Sequence, residues 1–273
     1  MVAVASILDS LQLTPIGTDR YSATNVDTGH PVVFGGQLLA QSIIAALRGQ
    51  DGKTVKTLHT VFVRGASPAV GVEIEVDPVH AGRSMASSTV TISQGDRICA
   101  RSMVLMSADE PDVIRHAEPA PELPSPAGKP DGGDWVIQIV GGVDLSDPAQ
   151  VGPPELDVFT AFPGAPADPG VNQALLAFAT DGFLIGTAMR PHEGVGQSQA
   201  HVTLSTGVLS HTITFHEPVS ASEWLLLTHR STYAGRGRSY GRADVFGSDG
   251  GLVASFVQDA MIRPMSERPS GPL

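Results

Sequence analysis

The residue whose surroundings first suggest chemistry is Asp181, because it lies in a run, residues 175–185, that is apolar on nearly every side. A carboxylate that loses water on burial either gains a partner or keeps its proton to a higher pH. Both outcomes are common at working sites, where such a group takes a proton from water as a general base. The alternative is a structural aspartate bonded to a nearby backbone group or arginine.

Gln258 is the second candidate for a catalytic role. Alternation along its strand places it on one face with Leu252, Ala254, Phe256, Ala260 and Ile262. An amide among apolar groups needs hydrogen-bond partners there. Asp181 and Gln258 together predict one positioned water, with the acid as its base and the amide holding it. The alternative is an ordinary core glutamine.

Three residues, Gly35, Gly36 and Gln37, open a helix that is apolar on nearly all sides. The first turn of a helix carries free N–H groups and the positive end of its dipole. Such groups suit a substrate carbonyl oxygen that becomes anionic during reaction. We therefore predict a substrate contact at residues 35–37, and the alternative is a tight strand-to-helix turn.

Two sequence patterns resemble a catalytic motif and a metal site, but the secondary structure predicted around them does not suit either. Residues 237–241 have the spacing of a serine nucleophile elbow, which needs a strand leading into a helix and a later histidine. Ser239 lies in extended sequence, and His229 is the last histidine. His211 and His216 are five apart on a strand, so they face opposite sides and do not share a metal. We expect no metal and no cofactor.

Two helices, each followed by four strands, surround these residues. The predicted helices are 36–48 and 172–189, and the strands are 57–63, 71–77, 84–93, 97–106, 208–215, 224–233, 238–246 and 252–263. Between the two sets, 12 of the 21 prolines fall in residues 109–170. This pattern predicts an α+β chain with an N-terminal half (1–108), a proline-rich connector (109–154) and a C-terminal half (155–273). In each half an antiparallel sheet wraps one central helix.

The second half repeats the order of the first, and segments can be aligned. Residues 58–63 match 210–215 (58 + 152 = 210), residues 81–83 match 234–236 (81 + 153 = 234), and residues 98–102 match 252–256 (98 + 154 = 252). Three matches in the same order indicate a duplicated unit.

Composition limits the partners and the compartment. The chain has 28 acidic and 17 basic residues, a net charge of −11 that opposes nucleic-acid binding. The single cysteine, Cys99, excludes an intrachain disulfide, and no run approaches the roughly 18 apolar residues of a membrane span. The first twenty residues lack the pattern of a signal peptide. We expect a cytoplasmic protein, with a homo-oligomer as one option.

Four segments, taken in order, resemble a known family. They are residues 33–37, residues 175–181, Phe215-His216 followed by Pro218, and residues 253–258. The set is similar to the acyl-CoA thioesterase II family, and the resemblance covers both halves but not the connector. It implies a double hotdog fold, whose halves pack as an internal pseudo-dimer. It also implies hydrolysis of acyl-coenzyme A to free fatty acid and coenzyme A.

The resemblance implies a catalytic set as well. In that family a helix aspartate, a strand glutamine and a Ser or Thr hold the attacking water, and Asp181 and Gln258 occupy the first two positions. The third position departs from the pattern, because Val208 stands where the hydroxyl is usual. Thr206 is the predicted replacement and Ser210 the alternative.

The valine leaves a non-catalytic or weakly active acyl-CoA-binding protein as the alternative function. An enoyl-CoA hydratase is less favoured, because no histidine follows Asp181 before His192. Since coenzyme A carries phosphates, an acidic protein needs local positive charge to bind it. Arg236 and Arg238 belong to the densest basic cluster, which Arg242 completes, and we predict phosphate contacts for the first two. Exposed arginines on an antiparallel strand are the alternative interpretation.

Overall fold

Two helices, one from each half of the chain, pack against each other at the centre of the molecule. The computed structural model describes residues 2–265, so positions 266–273 of the predicted C-terminal half lie outside the described residues. The helices are α1 (Val4–Ser10), α2 (Gly35–Ala46), α3 (Pro169–Thr180) and α4 (Leu184–Met189). At the start of α2, the Phe34 ring meets the Phe178 ring of α3 edge to face, with centroids 5.0 Å apart. The two halves therefore share one hydrophobic core.

The single helix predicted over 172–189 is wrong, because the structure divides it into α3 and α4. The Gly182 N–H donates to Ala179 O at 3.4 Å in a turn, and Phe183 has φ −124° and ψ −28°, outside helical geometry. The apolar pattern runs through the break because residues on both sides of it are buried. Asp181 is therefore the residue that ends α3, not a residue of a helix interior.

Within residues 2–265, one antiparallel sheet of twelve strands wraps both central helices. The strands of the first half are β1 (Thr14–Gly17), β2 (Arg20–Ala23), β3 (Lys53–Phe62), β4 (Val72–Ala81), β5 (Met85–Gln94) and β6 (Arg97–Ala108). Those of the second half are β7 (Val136–Ile139), β8 (Glu155–Ala161), β9 (Leu204–Phe215), β10 (Leu225–Gly235), β11 (Arg238–Phe246) and β12 (Leu252–Pro264). Their order is β1-β2-β4-β5-β6-β3-β9-β12-β11-β10-β8-β7, which reads as one six-strand arrangement and its mirror-ordered copy. The halves meet where β3 pairs with β9.

β-Bulges correct the alignment between the halves. The residue left out of strand pairing is Lys56 in β3 and Leu209 in β9, and 56 + 153 = 209. Along β4 and β10 it is Val79 and Thr232, and 79 + 153 = 232. The offset of 152 predicted for β3 and β9 is thus wrong by one residue. A one-residue slip exchanges the two faces of a strand, so the alignment had matched an exposed histidine with a buried one.

The proline-rich connector ends inside the fold of the second half. Residues 109–133 form neither helix nor strand, whereas β7 follows and pairs with β8. The Trp135 Nε1–H donates to Thr160 Oγ1 at 2.6 Å, and the indole stacks on Phe162 with centroids 5.7 Å apart. The boundaries at 108 and 155 remain a prediction. Among residues 2–265, no helix is both long and apolar enough to cross a membrane.

Candidate active site

Asp181 lies where the end of α3 meets the start of α2. Its Oδ2 accepts a hydrogen bond from the Gly36 N–H at 3.1 Å. Close approach requires glycine at both positions: a Cβ on Gly35 would lie 2.6 Å from Asp181 Oδ2, and one on Gly36 would lie 2.2 Å from Phe178 O. The carboxylate of one half is therefore held by the helix start of the other.

Gln258 reaches the same carboxylate from the sheet. Its Nε2 donates to Asp181 Oδ1 at 3.1 Å, and the residue is only 2% exposed. β12 presents it on the buried face, in line with Phe256 and Ala260. The structure thus brings the two predicted side chains into direct contact, although they are 77 residues apart in the chain.

Burial raises the pKa of Asp181 to about 7, and hydrogen bonds from the backbone N–H groups of Gly36 and Gly35 limit the rise. The residue as a whole keeps some exposure to solvent, while its carboxylate is enclosed by protein. A carboxyl group with a pKa near neutrality can both take a proton from water and return it, so the position suits a general base.

Two residues next to the pair, His211 and Thr180, were missed by sequence reasoning. The Gln258 Nε2 lies 3.3 Å from His211 Nδ1, and His211 Nε2 lies 3.1 Å from Thr180 Oγ1. His211 and Thr180 are fully buried, and burial lowers the histidine pKa to about 3. Thr180 could have been found from the sequence because it directly precedes the candidate acid, Asp181. The pairing of His211 with Gln258 needed the strand register, which the bulge at Leu209 sets.

The structure does not bring Thr206 to the pair. Thr206 is opposite Ile262 in β12, two inward-facing positions beyond Gln258, which corresponds to about 13 Å along the strand. It is too far away to share one water with Gln258. Ser210 is opposite Asp259, on the other face. Val208 is opposite Ala260, so it occupies the inward position next to Gln258, as the predicted hydroxyl position requires.

The predicted substrate contacts at residues 35–37 need correction. The Gly36 N–H is not free for a substrate carbonyl, because it donates to Asp181. The Gln37 side chain accepts from Val26 N–H at 2.8 Å and donates to Asn25 Oδ1 at 2.8 Å, and its own N–H donates to Phe34 O at 3.0 Å. The start of α2 therefore positions the acid, and Gln37 anchors the loop at 25–26.

Arg236 and Arg238 occupy the turn between β10 and β11 and are exposed. Arg236 has a positive φ of 53°, which the tight turn imposes. Within residues 2–265 neither guanidinium forms an ion pair. Arg238 lines a cavity of about 240 Å³, together with Met189 and Ile262. Ile262 follows Gln258 and Ala260 on the inner face of β12, so the cavity beside Arg238 lies at the far end of that face.

Known families match both halves of the chain. The model of the acyl-CoA thioesterase C-terminal domain matches residues 115–262, and that of the N-terminal domain matches residues 23–107. The chain belongs to the acyl-CoA thioesterase family. A relative, acyl-coenzyme A thioesterase 8 of Mus musculus, is 26% identical over 297 residues, which cover 96% of this chain and 89% of that protein.

Solved structures show the fold of this thioesterase-family chain. An acyl-CoA thioesterase II from Mycobacterium marinum superposes with a TM-score of 0.80 at 24% identity, covering 98% of this chain and 100% of that one. A protein with a hot dog fold from Alicyclobacillus acidocaldarius gives 0.74 at 17% identity, covering 96% and 99%. The predicted α+β double hotdog is confirmed.

Proposed function

We propose that this member of the thioesterase family hydrolyses acyl-CoA thioesters to free fatty acids and coenzyme A, with Asp181 as the general base. The observation that carries the proposal is the contact between Asp181 and Gln258, two polar groups enclosed where the helices of the two halves meet. A carboxylate whose pKa is raised to about 7 suits proton transfer from water, which a thioester hydrolase requires.

The proposed reaction balances without a further reagent. A water donates one proton toward Asp181 and is held by Gln258, so its oxygen attacks the thioester carbonyl carbon. The carbon–sulfur bond then breaks, and the proton taken by Asp181 passes to the leaving sulfur. The products are a fatty acid and the free thiol of coenzyme A, and the carboxylate is regenerated.

Arg236 and Arg238 complete the proposal as the contacts for the phosphates of coenzyme A. Their exposure and lack of acidic partners within the described residues support this role. In this proposal, the part of coenzyme A that links the thioester to the nucleotide lies along the inner face of β12, from Gln258 to Ile262. A cytoplasmic location, for which the lone cysteine is one sequence signal, belongs to the same proposal.

The test uses purified protein, a panel of acyl-CoAs of different chain length, and a reagent that detects free thiol. Asp181→Asn should lower kcat at least 10²-fold, because the base is lost while the shape of the site is kept. Asp157→Asn is the matched control: burial also raises the pKa of Asp157, but it lies on β8, next to the edge strand β7.

Two results would overturn the proposal. Equal rates for Asp181→Asn and the parent would remove Asp181 from catalysis. A parent protein that binds acyl-CoA but releases no thiol would support the alternative, a non-catalytic acyl-CoA-binding protein. That alternative draws on the valine at 208, which removes the hydroxyl that the family carries there.

A further inference from the structure

A chain of hydrogen bonds runs from the backbone of α3 through Thr180, His211 and Gln258 to Asp181. Thr180 Oγ1 donates to Ala177 O at 2.8 Å. The same oxygen lies 3.1 Å from His211 Nε2, and His211 Nδ1 lies 3.3 Å from Gln258 Nε2. Thr180 and His211 are fully buried, so water does not compete for these bonds.

Proton counting fixes the tautomer of His211. The Thr180 hydroxyl has one proton, and that proton goes to Ala177 O. Toward His211 the hydroxyl oxygen therefore accepts, so His211 Nε2 carries the hydrogen. A neutral imidazole then has a bare lone pair on Nδ1. That lone pair accepts a hydrogen bond from the Gln258 Nε2–H.

The same counting fixes the orientation of the Gln258 amide. Both Nε2 protons are used, one toward His211 Nδ1 and one toward Asp181 Oδ1. The amide oxygen Oε1 is buried and has no partner among the described residues. A flipped amide would place Oε1 against two acceptors. Leaving a buried acceptor unpaired costs roughly 1–3 kcal/mol, so the atom is suited to a ligand that donates.

We infer that His211 is a positioning residue that, held by Thr180, locks the Gln258 amide so that Oε1 accepts a hydrogen bond from the attacking water. The inference rests on the proposed function and deepens it. With one O–H of the water donated to Gln258 Oε1 and the other directed to Asp181, the water has a lone pair free for the thioester carbon. Two fixed acceptors orient the water without a hydroxyl at position 208.

The sharpest test removes one hydroxyl. Thr180→Val keeps the shape of the side chain but takes away the acceptor for His211 Nε2–H, so the histidine can move its proton to Nδ1 and turn the amide. We expect kcat for an acyl-CoA to fall about 10²-fold, the usual loss for one misplaced polar group, with KM changed less than threefold. Thr180→Ser restores the acceptor and should return most of the lost kcat.

The matched control is Thr187→Val. Thr187 is equally buried, and its Oγ1 donates to Phe183 O at 2.9 Å within α4. The loss of a helical hydroxyl–backbone bond is therefore the same in both variants, and only Thr180 contacts the histidine. Melting temperatures of the two valine variants should be similar.

A spectroscopic readout tests the same inference without turnover. In the ¹⁵N spectrum of the whole protein, His211 should be neutral at pH 7 with the proton on Nε2. A coupling across the hydrogen bond should connect Nδ1 to the Gln258 side-chain nitrogen. In Thr180→Val the proton should move to Nδ1, and in Thr187→Val it should stay.

The outcomes separate the inference from the proposed function. If Thr180→Val hydrolyses as fast as Thr187→Val, or if the parent carries the proton on Nδ1, the positioning role of His211 is wrong while hydrolysis stands. If the parent hydrolyses no thioester, the proposed function fails, and the positioning role fails with it even when the Nε2 tautomer is found.

Discussion

Asp181 combines a chemical advantage with a cost to stability. The burial that raises its pKa to about 7 makes it a base matched to neutral pH. In the unfolded chain the same carboxyl titrates near its ordinary value of 3.8. Between these two values the folded protein holds a proton that the unfolded chain has released. Stability contributed by this group is therefore present at low pH and is lost as pH rises through about 7.

The first prediction follows from that sign. Asp181→Asn cannot ionise, so its melting temperature relative to the parent should rise as pH increases from 4 to 8. Activity of the parent should also increase with pH through about pH 7, as the base becomes charged. Thermal melts and kcat/KM measured across this range check both statements. A melting-temperature difference that does not change with pH would contradict the raised pKa.

Position 208 supplies the second prediction. Val208→Thr adds a hydroxyl next to Gln258 on the inner face, at the position that the sequence resemblance assigns to a hydroxyl residue. We expect kcat to rise with little change in KM. The gain should be smaller than the 10²–10³-fold that a lost donor usually costs, because two acceptors already hold the water. Thiol release by Val208→Thr and by Val208→Ala, which adds no hydroxyl, provides the comparison.

Sequence reasoning found Asp181 and Gln258 because polar residues in apolar surroundings stand out in any alternating or helical pattern. It failed at Thr206 because that residue, although inward-facing, lies too far along the strand from Gln258. It failed at Ser210 and His211 for one shared physical reason. Both lie on β9, and the bulge at Leu209 exchanges the faces of the residues on its two sides. When the alternation of faces is counted along β9 without the bulge, residues beyond it are assigned to the wrong face of the sheet. Nothing in the sequence around Leu209 indicates the extra residue.

At the scale of elements, the site depends on the close approach of α2 and α3. Gly36 permits it, since any side chain there would overlap Phe178 O of the opposite helix. The sequence predicted both helices and their burial. It did not predict their mutual contact or the break after Thr180, because the apolar pattern is continuous through both features.

Gly36→Ala is the third prediction. The added methyl must push backbone rather than a flexible side chain, so the free energy of unfolding should fall by roughly 1–3 kcal/mol, a typical cost of overpacking. Gly133→Ala is the matched control, because a Cβ at Gly133 meets no atom within 4 Å. Denaturant unfolding of both variants gives the comparison, and equal stabilities would mean that the helices separate freely.

At the scale of the whole molecule, the two halves share a backbone plan but only one of them carries the polar pair. With the offsets of 153 for β9 and 154 for β12, His211 corresponds to Leu58 and Gln258 to Val104, and both of those are buried. The helix ends differ in the same way. Leu47 ends α2 and contacts Gly170, whereas at the equivalent place Asp181 ends α3 and contacts Gly35. This asymmetry predicts one active site per chain.

The fourth prediction concerns charge across the molecule. A net charge of −11 repels the phosphates of coenzyme A, so binding depends on local cations. Arg238→Ala should raise KM for an acyl-CoA several-fold at about 0.15 M salt and leave KM for the corresponding acyl-pantetheine, which lacks the nucleotide, nearly unchanged. Arg20→Ala, on β2 near the opposite edge of the sheet, serves as control. An equal rise for both substrates would place Arg238 away from the phosphates.

The equivalent bulges at Lys56 and Leu209 limit how the two duplicated strands can change in length during evolution. A duplicated gene accumulates insertions and deletions, yet these strands kept the same extra residue at the same place in both copies. A single-codon deletion in either strand would turn core side chains to solvent along half its length. We therefore expect these strands to diverge by point substitution and changes of length to occur in the connector between the copies.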